Sequence, residues 1–370
     1  MIQKTKRLLR EYCPMPALVL FALAIIAGIV HIISELSEPF SDFFNRYIAS
    51  LVRGLLATVT SILPFSLAET VILFIPVLFI VVIVCCIKTT NKSIGGGIRY
   101  IVSMGAVLSL LYSLFVFTTT VGYNGSTLFA KLGLEQSPVS VDELRSTAAY
   151  MIDKMNDDLD EIEYVYGESS VMPYSIGQMN KLLLEAYDKA ADKYTFLPRL
   201  SSRIKPIALS EPMTYTHISG MYTYYTGEAN LNINFPDYNL PFTAAHELAH
   251  QRGILPENEA NFVAFLVCAE SDDAYIRYSG YVNMYEYLNS ALYSADYDTF
   301  ADVYSSLDAR VRGEMVAYNE FFAKYRDNAA ADISSAMNDN YLKAQGVEAG
   351  EKSYGMVVDL ACAYIAAMEK

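Results

Sequence analysis

The stretch Thr243-Ala-Ala-His246-Glu247-Leu-Ala-His250-Gln-Arg-Gly253 holds two of the four histidines in the chain, four residues apart, with a glutamate after the first. Residues i and i+4 of a helix share one face, so His246 and His250 can aim both imidazoles at one point. Two imidazoles at this spacing are typical of a zinc site. Glu247 lies about 100° round the helix from His246, within reach of a metal-bound water. The pattern predicts metal-assisted hydrolysis with Glu247 as general base.

A hydrolytic zinc site needs a third protein ligand. The metzincins also begin HExxHxxG and place a ligand six residues after the second histidine, but that position is Pro256, which cannot bind zinc. The alternative is a carboxylate on the next helix. Glu259 heads an apolar-faced segment that can turn back toward the metal, whereas Glu257 can bind the metal or act as a helix N-terminal charge. Both glutamates are therefore candidates.

The charges divide the chain in two. Residues 1–119 have nine Lys or Arg and five Asp or Glu, whereas residues 120–370 have 18 and 36. An acidic larger part argues against a nucleic acid partner, because the phosphate backbone selects basic surfaces. The five cysteines include no CxxC pair, which argues against a zinc ribbon or a disulfide framework.

Three apolar runs precede the acidic part, at about residues 16–33, 70–87 and 98–121, and each is long enough to cross a bilayer as a helix. The N-terminus and the link after the second run are basic, whereas the link after the first run has more acids than bases. The positive-inside rule then places the N-terminus in the cytoplasm. Because three spans are an odd number, the sequence predicts a multi-pass plasma membrane protein with its C-terminal part outside the cytoplasm.

Two domains are expected: a membrane domain at 1–121 and an extracytoplasmic domain at 122–370. In the second domain, Ser140 to Glu143 and Ser175 to Gln178 form capping boxes that begin amphipathic helices. The alternation in Asn230-Leu-Asn-Ile-Asn-Phe is typical of a strand. The expected fold class is therefore three transmembrane helices followed by a mainly α, α+β domain, with a small antiparallel sheet next to the HExxH helix.

Further motifs accompany the HExxH stretch: Thr226-Gly-Glu228-Ala-Asn230, Glu257-Asn-Glu259-Ala-Asn261-Phe, Tyr278-Ser-Gly-Tyr281, Asn340-Tyr-Leu-Lys and Ser353-Tyr-Gly. With them, the chain resembles an uncharacterised bacterial membrane family of predicted zinc peptidases with N-terminal spans and an HExxH ectodomain. The resemblance covers most of the chain. It implies a zincin-like fold of the gluzincin type, in which His246, His250 and Glu259 bind Zn²⁺. Glu259 is accordingly preferred over Glu257.

The zincin resemblance also implies where a substrate binds. In zincins an edge strand beside the metal helix pairs with the extended substrate backbone, and residues 222–234 lie where that strand is expected. Glu228, Asn230 and Asn232 are predicted to contact substrate or support the metal, with a polar strand face as the alternative. Tyr278 is the predicted catalytic hydroxyl that stabilises the oxyanion, and Tyr281 is its alternative.

Two functions of different classes fit this sequence. The first is a membrane-anchored zinc metallopeptidase that cleaves an envelope peptide or protein. The second is a non-catalytic envelope scaffold that retains a zinc site. Glu247 favours the enzyme, because a structural metal has no need of a carboxylate there. An intramembrane protease is excluded, because residues 240–270 carry too many charged groups for a span.

Overall fold

The computed structural model describes residues 12–165 and 169–368, and most of them are helical. The basic N-terminal residues that contribute to the predicted orientation lie at 1–11, outside the described residues. Three helices are long and apolar enough to cross a membrane: Met15–Leu36, Leu67–Lys92 and Ile94–Tyr123. They are called the first, second and third apolar helices below. The three predicted apolar runs are thus helices, each somewhat longer than expected, and they are compatible with a membrane protein.

Serine caps set where the second and third apolar helices begin. The first apolar helix is α1 (Met15–Leu36) and the second is α4 (Leu67–Lys92). The third begins as α5 (Ile94–Phe115) and continues through a π-helical turn at Val116–Thr120 to Val121–Tyr123. Ser66 and Ser93 cap α4 and α5, where each hydroxyl accepts a backbone N–H of the first turn. The extended backbone of Ser93 alone separates the second helix from the third.

The segment between the first two apolar helices, residues 37–66, is called the linking segment. It contains α2 (Glu38–Phe43), a π-helical turn (Phe44–Ala49) and α3 (Ser50–Ser61). Asn45 Nδ2 donates a hydrogen bond of 2.9 Å to the carbonyl of Gly253, just past the HExxH helix. Arg53 is buried and donates to the carbonyls of Thr118 and Asn45, at 3.0 Å each. The linking segment therefore contacts both the C-terminal part and the third apolar helix.

The remaining helices form the C-terminal part around a single main hydrophobic core. The capping boxes predicted at Ser140 and Ser175 are both present. Short 3₁₀ turns occur at Leu159–Glu161 and Gly350–Met356. The helices are α6 (Leu128–Leu132), α7 (Val141–Asp158), α8 (Ile176–Lys193), α9 (Ser210–Thr214), α10 (Asn239–Gln251), α11 (Glu257–Ala269), α12 (Ala274–Ala295), α13 (Tyr297–Ser305), α14 (Ala309–Ala323), α15 (Ala329–Ala344) and α16 (Val357–Met368).

A three-stranded sheet lies against α10. Its strands are β3 (Ile204–Pro206), β4 (Gly220–Thr223) and β5 (Glu228–Leu231), in the order β3-β5-β4. The antiparallel pairing of β4 with β5 agrees with the predicted sheet. A third strand, β3, pairs with β5 in parallel, so the predicted antiparallel pair is part of a mixed sheet. A separate antiparallel pair joins β1 (Tyr164–Val165) to β2 (Ser169–Ser170).

Helix α10, which carries the HExxH pattern, lies at the centre of the core. Each of its residues, Asn239–Gln251, is buried. It is enclosed by the sheet, by α11 and by α12. A helix buried on every face holds its side chains in fixed surroundings, because closely packed neighbours restrict their rotamers. The candidate site is thus built on a helix that is buried along its whole length.

Candidate metal centre

Three buried side chains converge beside α10. Glu257 Oε2 lies 3.2 Å from His246 Nε2 and 3.3 Å from His250 Nε2. One ligand atom from each of the three residues lies within 4.8 Å of the other two. The two imidazole rings are 4.5 Å apart between centroids and nearly perpendicular. This His-His-Glu cluster has the ligand types and number of a catalytic zinc site.

The turn after α10 brings the glutamate to the histidines. Gly253 has a φ of 91° and its N–H donates to the carbonyl of His250, which closes the helix. Such a φ favours glycine, and a Cβ there would also lie 2.3 Å from the Arg53 guanidinium. Pro256 is extended and precedes α11, so Glu257 is the first residue of that helix. The short link therefore places Glu257 beside the end of α10.

The prediction that Glu259 joins the histidines is corrected by this structure. Glu259 Oε1 accepts a 2.7 Å hydrogen bond from the backbone N–H of Leu128, the first residue of α6. Residues two apart on a helix point in different directions, so Glu257 and Glu259 cannot both face the histidines. Burial raises the pKa of the Glu259 carboxyl, although Lys131 and the Leu128 N–H oppose this effect. Glu257 is the candidate third ligand.

The donor atoms of the cluster suit a cation. His250 Nδ1 lies 2.8 Å from the carbonyl of Ile254, and because a carbonyl only accepts, Nδ1 carries the proton. The lone pair of a neutral His250 Nε2 then faces the carboxylate of Glu257, so two acceptors lie 3.3 Å apart. Glu257 Oε2 is buried and has no hydrogen-bond donor among the described residues. A metal ion or a proton is needed between these atoms, and the residues present fit a metal.

The pKa values of His250 and Glu257 also show that the cluster favours a positive charge. Burial alone would lower the pKa of His250, but nearby negative charge, mainly that of Glu257, outweighs burial and raises it to about 9. Burial alone would raise the pKa of Glu257, yet His250 and His246 hold it well below its usual range. The site therefore stabilises a positive charge at the centre of the cluster.

Glu247 stands beside the cluster and is not part of it. Burial raises the pKa of its carboxyl, against the opposing charges of His246 and His250. Its Oε2 atom is buried without a hydrogen-bond partner in the described part of the chain. The carboxylate also lies against β4, where a Cβ on Gly220 would be 2.5 Å from Glu247 Oε1. A raised pKa and a free oxygen are properties that a general base needs.

A cleft of about 1590 Å³ contains the cluster. His246, Glu247, His250 and Glu257 line it together with residues 216–225, which include all of β4. Side chains from α12, from α15, from the turn at Gly350–Met356 and from the second and third apolar helices also line it. Its volume exceeds the roughly 300–1,000 Å³ of small-ligand sites, so a polymer segment fits.

The predicted substrate contacts occupy other positions. Glu228, Asn230 and Asn232 are at most 1% exposed and do not line the cleft. Glu228 pairs with Lys205 Nζ at 2.6 Å, Asn230 accepts from Ser66 Oγ at 2.7 Å, and Asn232 donates to Thr214 Oγ1 at 3.1 Å. These side chains support the sheet, which corrects the prediction that they contact a substrate. The edge strand that does line the cleft is β4, because β5 is central in the sheet.

Tyr278 is also placed away from the site. It is fully buried, and its hydroxyl donates to Glu314 Oε2 at 3.0 Å. It does not line the cleft, so the prediction of a catalytic Tyr278 is corrected, and Tyr281 does not line the cleft either. Tyr354 and Tyr341 do line it. Both tyrosines belong to motifs that carried the family resemblance, Ser353-Tyr-Gly and Asn340-Tyr-Leu-Lys. These motifs were the feature of the sequence that could have identified them as residues of the cleft.

Comparison with known proteins gives one finding about identity. A family described as "Protein of unknown function (DUF3810)" matches residues 44–362. The chain belongs to this family. The match covers the second and third apolar helices and the whole His-His-Glu cluster. No curated protein and no solved structure matches the chain. The DUF3810 description assigns no activity, so the likeness to zinc peptidases is still a prediction and function is argued from the site.

Proposed function

We propose that this DUF3810 protein is a membrane-anchored zinc metallopeptidase that hydrolyses a peptide bond in a peptide or protein of the cell envelope. His246, His250 and Glu257 would hold the zinc ion. One observation carries the proposal: two imidazole Nε2 atoms and one carboxylate Oε2 converge in a buried cluster, with the free Glu247 carboxylate beside them. Bound zinc would supply a Lewis acid that polarises the peptide carbonyl and acidifies water.

Glu247 is the general base of this proposal. Its unpartnered Oε2 can accept a proton from the attacking water and deliver it to the leaving amine. A structural metal site has no use for such a group, which argues against a non-catalytic scaffold. His250 Nδ1 donates to the Ile254 carbonyl and thereby holds the imidazole in one orientation. The chain thus provides both a fixed ligand set and a proton acceptor.

The edge strand β4 supports a polypeptide substrate. Within the described residues β4 pairs only with β5, and all four residues of β4 line the cleft. An edge strand of this kind binds extended peptides through backbone hydrogen bonds. Glu247 contacts the Gly220 end of β4, so a peptide paired with β4 would pass close to the general base.

Tyr354 replaces Tyr278 as the candidate hydroxyl for the developing oxyanion. It lines the cleft, and burial raises its pKa well above the ordinary value, as do the charges of Glu257 and Glu247. A phenol with a raised pKa stays protonated at neutral pH and can donate a hydrogen bond.

The proposed location is the plasma membrane, with the cleft outside the cytoplasm. The linking segment and the C-terminal part are in direct contact through Asn45, Thr60 and Ser66, so in this proposal both lie on one side of the bilayer. Three spans give this arrangement when the N-terminus and the turn at Ser93 lie on the opposite side. The basic residues near that turn support a cytoplasmic position for it.

The test uses the full chain in detergent, metal analysis and a library of fluorescence-quenched peptides. Wild type should contain about one zinc ion per chain. Glu247→Gln should retain the zinc and lose at least about 100-fold in hydrolysis, because removal of a general base costs 10²–10⁴-fold. The exposed Glu320→Gln is the matched control and should behave as wild type.

Each alternative has a distinct result. Undiminished hydrolysis by Glu247→Gln would remove Glu247 as the base. Bound zinc without hydrolysis of peptides or envelope proteins would favour the scaffold. A wild type prepared without chelators that holds no zinc would refute the metal centre.

A further inference from the structure

The first turn of the second apolar helix is hydrogen-bonded to the three-stranded sheet and to the residues that follow β3. The backbone N–H groups of Leu67 and Ala68 donate to the two carboxylate oxygens of Glu228 at 3.1 and 2.7 Å. The carboxylate of Glu69 accepts from the N–H groups of Ala208 and Leu209 at 3.0 and 2.8 Å. This end, called the cleft end, is therefore fixed relative to β3 and β5.

The other end of the same helix is fixed to the third apolar helix. Ser93 alone joins them, and a Cβ on Gly97 would lie 2.4 Å from Thr90 Oγ1, so the backbones approach closely there. Between the two fixed ends every residue from 72 to 85 is exposed. Fourteen helical residues cover about 21 Å and point in all directions, so this stretch stands apart from the other two helices.

The first and third apolar helices behave differently, because they pack along each other. Ala27 and Ala106 are buried, and Gly28 and Gly105 lie beside Tyr112 and Phe21 of the opposite helix. Small residues at such an interface permit close contact in a bilayer. Of the three apolar helices, the second is thus the one whose central residues are all exposed.

The cleft reaches the space between the second and third apolar helices. Ile72, on the second turn of the second helix, lines the cleft that contains His246 and Glu247. Phe115 and Thr119, near the cleft end of the third helix, line the same cleft. An exposed residue of the second apolar helix and the candidate catalytic groups therefore line one cavity.

We infer that the substrate is a polypeptide anchored in the same membrane, and that it is cut in the segment next to its anchor. This inference rests on the proposed peptidase activity. The apolar anchor would lie in the bilayer against the face of the second apolar helix that carries Ile72, while the adjoining segment passes Ile72 and pairs with β4. Hydrolysis adds water across one peptide bond, leaving a carboxylate on one fragment and an amine on the other.

Physical considerations favour an anchored substrate over a dissolved one. An anchor confined to the same membrane raises the effective concentration of its neighbouring segment at the cleft. An apolar cleft wall continuous with the lipid lets the anchor approach without entering water, which would cost about 25 cal/mol per Å² of apolar surface. A chain extends at most about 3.5 Å per residue, so ten residues can reach up to about 35 Å from the anchor, and we expect the cut within such a segment.

The experiment maps new protein N-termini in membranes of cells that produce the full chain. Wild type is compared with Glu247→Gln, Ile72→Trp and Val81→Trp. Val81 is the matched control, because nine residues place it on the opposite face of the same helix and it is 50% exposed. New N-termini that require Glu247 should lie within about ten residues of an anchor. Ile72→Trp should reduce them at least fivefold, and Val81→Trp should not.

The outcomes separate the two proposals. Cleavages that require Glu247 but fall in unanchored proteins, or far from an anchor, would overturn the inference and leave the peptidase standing. Equal cleavage by Ile72→Trp and Val81→Trp would also overturn it. The absence of any Glu247-dependent N-terminus would refute the peptidase itself and the inference with it. Helical and acyl anchors both satisfy the chemistry, and the identity of the cleaved proteins distinguishes them.

Discussion

Gly220 of β4 lies against the carboxylate of Glu247, so closely that a Cβ atom on Gly220 would be 2.5 Å from Glu247 Oε1 and 2.6 Å from Glu247 Cγ. Real Cβ atoms do not approach other atoms so closely, so any side chain at this position must displace Glu247 or β4. The edge strand and the general base are therefore positioned by each other.

Gly220→Ala should reduce hydrolysis at least tenfold and leave the zinc content unchanged, because the change displaces Glu247 without touching the three ligands. A misplacement of about 1 Å can cost 100-fold in rate. Peptide hydrolysis and metal analysis of the purified full chain are the measurements. Gly177→Ala is the control, since its nearest neighbour would be 3.9 Å away. An active Gly220→Ala enzyme would argue against Glu247 as the base.

The two glutamates of α11 should differ in metal binding. Glu257→Gln should lose most of the bound zinc, because it removes a charged ligand from the cluster. Glu259→Gln should keep its zinc, since its side chain bonds the Leu128 N–H and an amide oxygen can still accept there. Metal analysis after gel filtration compares the two variants. If Glu259→Gln lost the metal and Glu257→Gln kept it, the assignment of Glu257 would be wrong.

Glu286 lines the cleft and should make stability depend on pH. Burial raises its pKa from 4.5 to about 7, although the Tyr238 hydroxyl opposes the shift. Below pH 4.5 both the folded and the unfolded state carry the proton. As the pH rises from 4.5 to about 7, only the unfolded state ionises, so the free energy of unfolding falls. Above about pH 7 the folded state ionises as well, and the free energy of unfolding falls no further because of Glu286.

Glu286→Gln should therefore be more stable than wild type at pH 8 and nearly equal to it at pH 5. The gain in stability at pH 8 should be roughly 1–3 kcal/mol, less than the full pKa shift implies, because the side chain is partly exposed to solvent. Thermal unfolding of the detergent-solubilised chain at the two pH values measures this. The exposed Glu320→Gln should show no such pH-dependent gain. A constant difference at both pH values would contradict the ionisation of Glu286 as its cause.

The buried Lys205–Glu228 pair should hold the sheet to the linking segment. Lys205 Nζ donates to Glu228 Oε1 at 2.6 Å and to the carbonyls of Thr60 and Phe65. Lys205→Met should destabilise the protein by about 3–5 kcal/mol, because it leaves a buried charge without its partner. The double variant Lys205→Met/Glu228→Gln should recover part of this loss.

Apparent melting temperatures of these variants, measured in the same detergent, provide the comparison. Lys324→Met is the matched control, because Lys324 pairs with Glu211 at an exposed position, and it should change stability little. A Lys205→Met protein as stable as wild type would show that the buried pair does not support the fold.

The proposed topology makes a simple prediction. Alkaline phosphatase, which is active only outside the cytoplasm, should be active when fused after Lys370 and inactive when fused after Ser93. The reason is that three spans, an odd number, lie between the N-terminus and Lys370, whereas two spans lie between the N-terminus and Ser93. Green fluorescent protein fusions should give the reverse pattern. Activity at Ser93 would invert the topology and place the cleft in the cytoplasm.

Local patterns predicted much of this protein because they depend on short-range geometry. The i to i+4 spacing brought His246 and His250 to one face, and the capping serines Ser140 and Ser175 began helices as expected. The apolar runs became three long helices. Helix α15 was not predicted, because its sequence lacks a clear apolar face.

The errors concern side chains whose partners are distant in sequence. Glu228 and Asn230 lie on a polar face of β5 that looked accessible, yet β5 is central and residues 66–68, more than 150 residues earlier, cover this face. Asn232 follows β5 and bonds Thr214 and the carbonyl of Ile218. Tyr278 follows the site along the chain but faces Glu314 in the core. Periodicity gives the direction of a side chain relative to its own element and not relative to the rest of the fold.

The sequence by itself determined the two histidines, the glutamate between them and the three apolar helices, because helical period and hydrophobic length are local properties. Only the tertiary structure decided between Glu257 and Glu259. The angle of the turn at Gly253 brings the first residue of α11 to the histidines, and the N–H of Leu128 binds the other carboxylate. The tertiary structure also brought Ile72 and Phe115 into the same cleft as Glu247, since that arrangement depends on contacts between segments more than 100 residues apart.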